Sequence, residues 1–390
     1  MWSKTGKRAA GIVLALVMVS CWTPRAQALP PDPDNAALLY YQAFLSLAKL
    51  DDAARDLMSD VARGDVVPDE TVRQYIDQCQ DAIGFAEAAA EVPTCHWGFR
   101  FSQGFDALMP QLAQARALTF VLVADARVKA ADGDYAGALD RCLMTGTFAS
   151  HVGDETLISY LVSIAVRTMG YKCMTDVMGQ AVDDPALLQW LKSELATTSG
   201  REVTLLRPLK IEMEIAQNAL TMENIDQFAR LAISEDGTAL QERILKQANA
   251  EMFARARQIY ADRVSEMLAL LGSSMPYDQA HAEFERLASG FDPDDLASAA
   301  AGALMPALPR VLTLKVRSEA QANAVRAGLE ICLRRAETGE LPAALPAGLP
   351  KDPFSGEDFE YVRTDDGFIL RCQVKDLDKD IAHEYAFAVK

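Results

Sequence analysis

The chain has 390 residues, of which 50% are hydrophobic and 24% charged, and its formal net charge is −17 at pH 7. This composition supports one large domain or two, each with a buried core. The hydrophobic content is too high for an intrinsically disordered, highly charged chain. The excess of acidic residues also makes nucleic acid and anionic lipid surfaces poor partners.

The first 28 residues have the three parts of a secretory signal peptide. A basic start is followed by an apolar run over residues 9–19 and by the small-x-small motif Ala-Gln-Ala at 26–28. We therefore expect an exported protein, periplasmic or secreted, whose mature chain begins at Leu29. The alternative is a lipoprotein, since residues 18–21 resemble a bacterial lipobox with Cys21 as the lipidated residue. No later apolar run reaches the roughly 20 residues of a membrane span.

Six cysteines lie beyond this leader. In an oxidising compartment six cysteines allow up to three disulfides, and sequence proximity favours the pairs Cys79–Cys95, Cys142–Cys173 and Cys332–Cys372. The alternative is that several of them are free thiols buried in a helical core.

Amphipathic helical patterns follow one another through the first three quarters of the chain. Apolar residues recur three and four apart, with Gly, Pro and Asp between the segments. The predicted helices cover 36–47, 68–90, 105–131, 135–152, 155–178, 185–197, 201–220, 239–271 and 277–288. The expected fold class is mainly α, an irregular stack of α-hairpins followed by a small α+β module.

Two of these segments carry more information. Residues 130–139 resemble the turn between the paired helices of a tetratricopeptide repeat, although the sequence contains no second copy. Between Leu157 and Met174 only Arg167 and Lys172 are charged, and apolar residues surround the rest of the helix. A helix that is apolar on most sides is typical of the centre of a core.

The composition changes at 305–309, where two prolines interrupt the helical pattern. We expect an all-α domain over 29–309 and a separate module over 310–390. The module is predicted to have a long helix over 310–338 and two strands, 359–362 and 368–374. The Asp-Gly pair at 366–367 predicts a hairpin between these strands.

The order of motifs in this last part resembles the C-terminal half of type II secretion major pseudopilins. The motifs are Thr-Gly-Glu-Leu-Pro at 338–342, Lys-Asp-Pro-Phe-Ser-Gly at 351–356 and the two β-like runs. Most of the chain also resembles uncharacterised exported helical proteins of planctomycetes and deltaproteobacteria, through 35–44, 95–98 and 156–159. The pseudopilin resemblance implies an assembly module. The departure from it is that pseudopilins begin with a long apolar helix, which is not found after the leader here.

Three carboxylates stand on alternate residues at Asp376, Asp378 and Asp380. Pseudopilins hold calcium near their C-terminal loops, so the resemblance implies a calcium site here, and oxygen ligands suit that ion. The run lacks the Gly and the distal Glu of an EF-hand loop. The favoured interpretation is therefore a solvated acidic loop, with calcium as the alternative.

No catalytic motif appears in the sequence. None of the four histidines stands in a metal-binding spacing, and there is no nucleophile elbow and no phosphate-binding glycine loop. The best candidate ligand site is a loop that carries Cys95, His96, Trp97 and Arg100, where a thiol, an imidazole, an indole and a guanidinium lie close together. The alternative is that these residues close the end of a helix pair.

These observations favour a scaffold or protein-interaction role in the cell envelope, with an unidentified envelope protein as partner, because stacked α-hairpins present broad surfaces. The alternative is a periplasmic small-ligand-binding protein or a hydrolase-type enzyme with a pocket near Trp97. A pocket of several hundred Å³ with converging polar groups at that loop would favour the alternative.

Overall fold

The computed structural model describes residues 32–198, 204–232, 238–305 and 308–389. The predicted leader and Cys21 lie outside these ranges. The helices in the first half are α1 Ala36–Leu45, α2 Asp52–Arg63, α3 Glu70–Gln78, α4 Gln80–Ala90, a 3₁₀ helix Phe101–Asp106, α5 Gln111–Ala131, α6 Tyr135–Gly153 and α7 Leu157–Gln180. They are followed by α8 Pro185–Thr198, α9 Leu206–Ala219, α10 Ile225–Leu231, α11 Ala239–Gln247, α12 Ala250–Leu271, α13 Tyr277–Ala288, α14 Leu296–Gly302 and α15 Leu308–Thr338. The expected fold class, mainly α with a small C-terminal α+β part, is confirmed.

Short polar side chains start many of these helices. Asn35, Asp51 and Thr156 each accept a hydrogen bond from a backbone N–H in the first turn of the helix that follows. An N-cap of this kind satisfies a donor that would otherwise be unpaired, and it contributes about 1 kcal/mol.

Two long predicted helices are each divided in two in the structure. The pattern over 68–90 is interrupted at Cys79, whose ψ of 8° leaves the helical range. The pattern over 239–271 is interrupted at Asn249, which is extended (φ −145°, ψ 173°) and caps α12 through its side chain. Hydrophobic periodicity continues across both breaks, so it does not reveal them.

Helices α5, α6 and α7 form the centre of the molecule. The turn between α5 and α6 places Gly133 at φ 82°, and Asp134 caps α6, so the predicted helix pair with a left-handed glycine in its turn is present. All three helices contribute buried residues to two hydrophobic clusters. One cluster includes Tyr40 and Phe148, and the other extends to the C-terminal strands. The prediction that the segment 157–174 lies at the centre of the core is confirmed.

The C-terminal strands are β1 Glu360–Thr364, β2 Gly367–Arg371 and β3 Glu384–Ala388, which form an antiparallel sheet in the order β1-β2-β3. The hairpin predicted at 366–367 joins β1 to β2, with Thr364 opposite Gly367. Strand β3 was not predicted. The turn that precedes β1 is organised by the buried Asp352. Its side chain accepts hydrogen bonds from the backbone N–H groups of Phe354 (2.9 Å) and Gln373 (2.9 Å).

Residues 34–390 form one compact unit, so the module predicted from residue 310 shares its core with the earlier helices. Strand β3 packs so closely on α7 and α15 that a Cβ on Gly179 would stand 1.8 Å from the carbonyl oxygen of Ala388. The predicted boundary at 309 separates segments that are buried against each other. In the described ranges no helix is long and apolar enough to cross a membrane.

The six described cysteines are all free and buried, so the three predicted disulfides are not present. The six thiols belong to the two hydrophobic clusters, and proximity in sequence did not lead to a bond between any two of them. Cys142 and Cys173 lie on the neighbouring helices α6 and α7 and influence each other electrostatically: the pKa of Cys142 is raised and that of Cys173 is lowered.

Candidate functional site

A cavity of about 490 Å³ lies between α6, α7, α8, the start of α9 and the loop at 93–96. Its volume is in the range typical of small-molecule sites. The apolar part of its wall includes Leu143, Met174 and Leu195. The polar part includes Ser150, His151 and Arg167. The helices at the centre of the fold thus enclose a space with a mixed lining.

The loop that carries the predicted site is held in place from α1. The side chain of Asn35 accepts a hydrogen bond from the backbone N–H of His96 (2.8 Å) and donates one to the His96 carbonyl (3.0 Å). The backbone N–H of Ala36 donates to the Thr94 carbonyl (2.8 Å). The residue that caps α1 therefore also fixes the edge of the cavity.

Trp97 belongs to this loop but is buried among aromatic side chains and does not line the cavity. Its ring is stacked on those of Tyr40 and Phe44, at centroid distances of 5.7 and 5.9 Å, and the ring of Tyr41 meets it edge-on at 5.6 Å. Its indole N–H donates to the carbonyl of His151 (2.8 Å), and only 5% of the residue is exposed. The expected ligand contact at Trp97 is thus replaced by a structural role, because three aromatic neighbours already cover the ring.

The other predicted residues divide into two groups. Cys95 and His96 line the cavity. Arg100 is exposed on the far side of the loop and does not line it. Burial, together with the nearby carboxylates of Glu155 and Asp154, raises the pKa of the Cys95 thiol well above its usual value. The thiol is therefore protonated at neutral pH and is a poor nucleophile.

The carboxylate of Glu155 is buried next to the ring of His96. Glu155 is 6% exposed, and its Oε1 lies 3.6 Å from Nδ1 of His96, whereas its Oε2 has no hydrogen-bond partner among the described residues. Burial raises the pKa of Glu155, while the Trp97 backbone N–H and His96 act in the opposite direction.

Arg167 is the cation at the inner end of the cavity. It stands on α7, 9% exposed, and its Nη2 donates to Oγ of Ser150 at 3.3 Å. At the rim, Arg207 forms a half-exposed ion pair with Asp154. In the sequence Arg167 stands out only as a rare charge in an apolar helix. That rarity is the signal that points to it, because a buried charge needs a compensating partner.

The predicted calcium ligands do not converge. Asp376 is fully buried, and its Oδ2 accepts hydrogen bonds from Nε of Arg317 (2.6 Å) and Nε2 of His383 (2.7 Å). The other two carboxylates contact separate side chains: Asp378 lies 3.2 Å from His281, and Asp380 lies 2.9 Å from Lys375. In the part of the chain that the structure describes, no group of three or more acidic, His or Cys side chains is arranged to hold a metal ion.

No family model matches this chain, and no curated protein or solved structure is significantly similar to it. The resemblances to pseudopilins and to exported helical proteins therefore stay predictions.

Proposed function

We propose that this chain is a small-molecule-binding protein of the cell envelope, with its ligand in the cavity between α6, α7 and α8. The envelope location rests on the leader predicted over residues 1–28. The observation that carries the binding function is the cavity of about 490 Å³, in which apolar walls and a few polar side chains face the same space.

Gly146 of α6 provides the test, because it lines the cavity and a Cβ built on it has no atom within 4 Å. The variant Gly146→Leu fills the cavity with a side chain. Its matched control is Gly84→Leu on α4, where a Cβ also has open space around it and which does not line the cavity. Both changes replace a helical glycine with a good helix former, so neither should weaken its helix.

The experiment is a thermal-shift screen of small organic compounds on the full chain, followed by calorimetry on the compounds that raise Tm. We expect ligands that stabilise the wild-type protein and Gly84→Leu but not Gly146→Leu, since ligand binding to the folded state raises its apparent stability. A screen without ligands, or ligands that bind Gly146→Leu equally well, would contradict the proposal.

A protein-interaction role is the second candidate function. The observation that favours it is an open groove of about 660 Å³ between the end of α1, α2 and α5, where Leu45 is 87% exposed beside Leu50 and Phe120. Large exposed apolar patches mark interaction sites. Cross-linking in the native envelope tests it: Leu45→Glu should lose a partner that the wild type and Leu108→Glu retain, since Leu108 is 83% exposed and outside the groove.

A further inference from the structure

The guanidinium of Arg167 differs from the other deeply buried cation at the centre of the fold. Arg141, on α6, is 6% exposed and pairs with Asp125 (2.7 Å) and Glu87 (2.8 Å). Arg167 is buried to nearly the same extent, yet within the described residues it forms no ion pair, and its hydrogen-bond partner is the Ser150 hydroxyl. A buried cation without a counter-charge is unfavourable, and folded proteins usually pair such groups.

The position of Arg167 shows where a counter-charge fits. The residue lines the cavity of about 490 Å³ and also a smaller one of about 110 Å³, where the charge of Lys315 is balanced by Glu319 at 2.7 Å. At the rim the charge of Arg207 is already balanced by Asp154. Arg167 is thus the charged side chain of this lining that forms no ion pair with a carboxylate among the described residues.

The wall of the cavity shows what the rest of the ligand must be. Leu143, Met174 and Leu195 supply apolar surface, which suits an aliphatic or aromatic body. One unpaired guanidinium matches one carboxylate in charge, and its planar fork can hold both oxygens at once. A phosphate monoester would bring nearly two negative charges to a site that offers one close cation.

We propose that the ligand is an organic monocarboxylate with an apolar body, and that Arg167 binds its carboxylate. This inference rests on the proposed small-molecule-binding function and adds the chemical class of the ligand. Arg167 is then the residue that determines specificity for acids, and the Ser150 hydroxyl positions its guanidinium.

The test compares matched acids and amides on the full chain by calorimetry at neutral pH. The probes are hexanoate, octanoate, phenylacetate and 3-phenylpropionate, each with its primary amide, and phenyl phosphate as the dianion. We expect at least one acid to bind about tenfold or more tightly than its amide, because charge-assisted hydrogen bonds in a buried site are the strong ones. We expect phenyl phosphate to bind more weakly than that acid.

Variants then assign the preference to one side chain. Arg167→Gln should remove the preference of the protein for acids, and Arg167→Lys, which keeps the charge but not the fork, should retain part of it. Arg363→Gln is the control for total charge, since Arg363 is exposed on β1 and does not line the cavity. The comparison of acid with amide on the wild-type chain needs no variant, so it decides the inference even where Arg167→Gln fails to fold.

The outcomes separate the two proposals. Amides that bind as tightly as acids, in a manner that Gly146→Leu abolishes, would overturn the ligand class and leave the binding function standing. The same holds if the acids do not bind while neutral compounds from the screen do. If neither acids nor neutral compounds bind in the cavity, both proposals fall. An acid preference that survives in Arg167→Gln would remove Arg167 from the site.

Discussion

The ring of Phe387 on β3 lies against Gly328 of α15, so closely that a Cβ built on Gly328 would stand 2.2 Å from the ring. We expect Gly328→Ala to lower the free energy of unfolding by about 2–3 kcal/mol, because β3 must move away from the helix to admit a methyl group. Urea unfolding measures this change. The control Gly84→Ala, in open space, should be neutral or slightly stabilising. Equal stability of both variants would show that β3 does not depend on this contact.

The buried ion pair of the last loop predicts a second stability effect. Asp376→Asn leaves Arg317 and His383 without the carboxylate they share, and we expect a loss of about 2 kcal/mol. Asp380→Asn is the matched control, because Asp380 is exposed beside Lys375 and such pairs contribute little. Chemical denaturation of both variants at neutral pH checks the difference, and similar losses would contradict the assigned role of Asp376.

The same carboxylate predicts part of the acid sensitivity of the protein. Burial raises the pKa of Asp376, but hydrogen bonds from His383 and Arg317 outweigh burial and hold the pKa below its ordinary value. Its contribution to stability is therefore present above the unfolded-state pKa of about 3.9 and is lost as the pH falls through the lower folded-state pKa. Urea midpoints measured from about pH 5 down to about pH 2 should fall less steeply for Asp376→Asn than for the wild type.

We expect the unpaired charge of Arg167 to lower the stability of the ligand-free protein, although it supports the proposed ligand binding. Without a ligand, Arg167→Met should raise the free energy of unfolding by about 1 kcal/mol, because it removes an uncompensated buried charge. Arg141→Met should instead lower it by about 3 kcal/mol, since Asp125 then loses its partner. Denaturant unfolding of the two variants distinguishes these signs. A large loss in Arg167→Met would reveal a structural role for this cation.

The burial of the thiols predicts low reactivity toward alkylating reagents in the folded protein. Burial raises the pKa of Cys332 to about 12 and also raises that of Cys95. We expect the six cysteines beyond the leader to resist iodoacetamide in the folded protein and to react when it is unfolded without a reductant. Mass spectrometry of the alkylated peptides gives the result. A bridged peptide joining residues 142 and 173 would instead show that this neighbouring pair oxidises.

Local signals account for much of the fold. Asn35 and Thr156 mark helix starts that the structure contains, and the Asp-Gly pair at 366–367 marks its hairpin. Strand β3 was missed because it has only five residues. Its pairing with β2 depends on tertiary contacts, which a local sequence pattern does not show. The breaks at Cys79 and Asn249 were missed because apolar spacing continues through them.

The candidate site was predicted only in part. Sequence analysis identified the loop, since Cys95 and His96 do line the cavity. It misassigned Trp97 because an indole in a loop looks available for a ligand until its stacking on Tyr40 and Phe44 is known. Arg167 lies far from this loop in sequence, and only the packing of α6 against α7 brings the two together.

The position of β3 on α7 and α15 also affects folding during synthesis on the ribosome. Strand β3 follows both α7 and α15 in the chain, yet it covers Gly179 of α7 and Gly328 of α15. On a nascent chain these two helices therefore stay partly uncovered until β3 has left the ribosome. Truncation before residue 384 would leave this surface open and prone to aggregation.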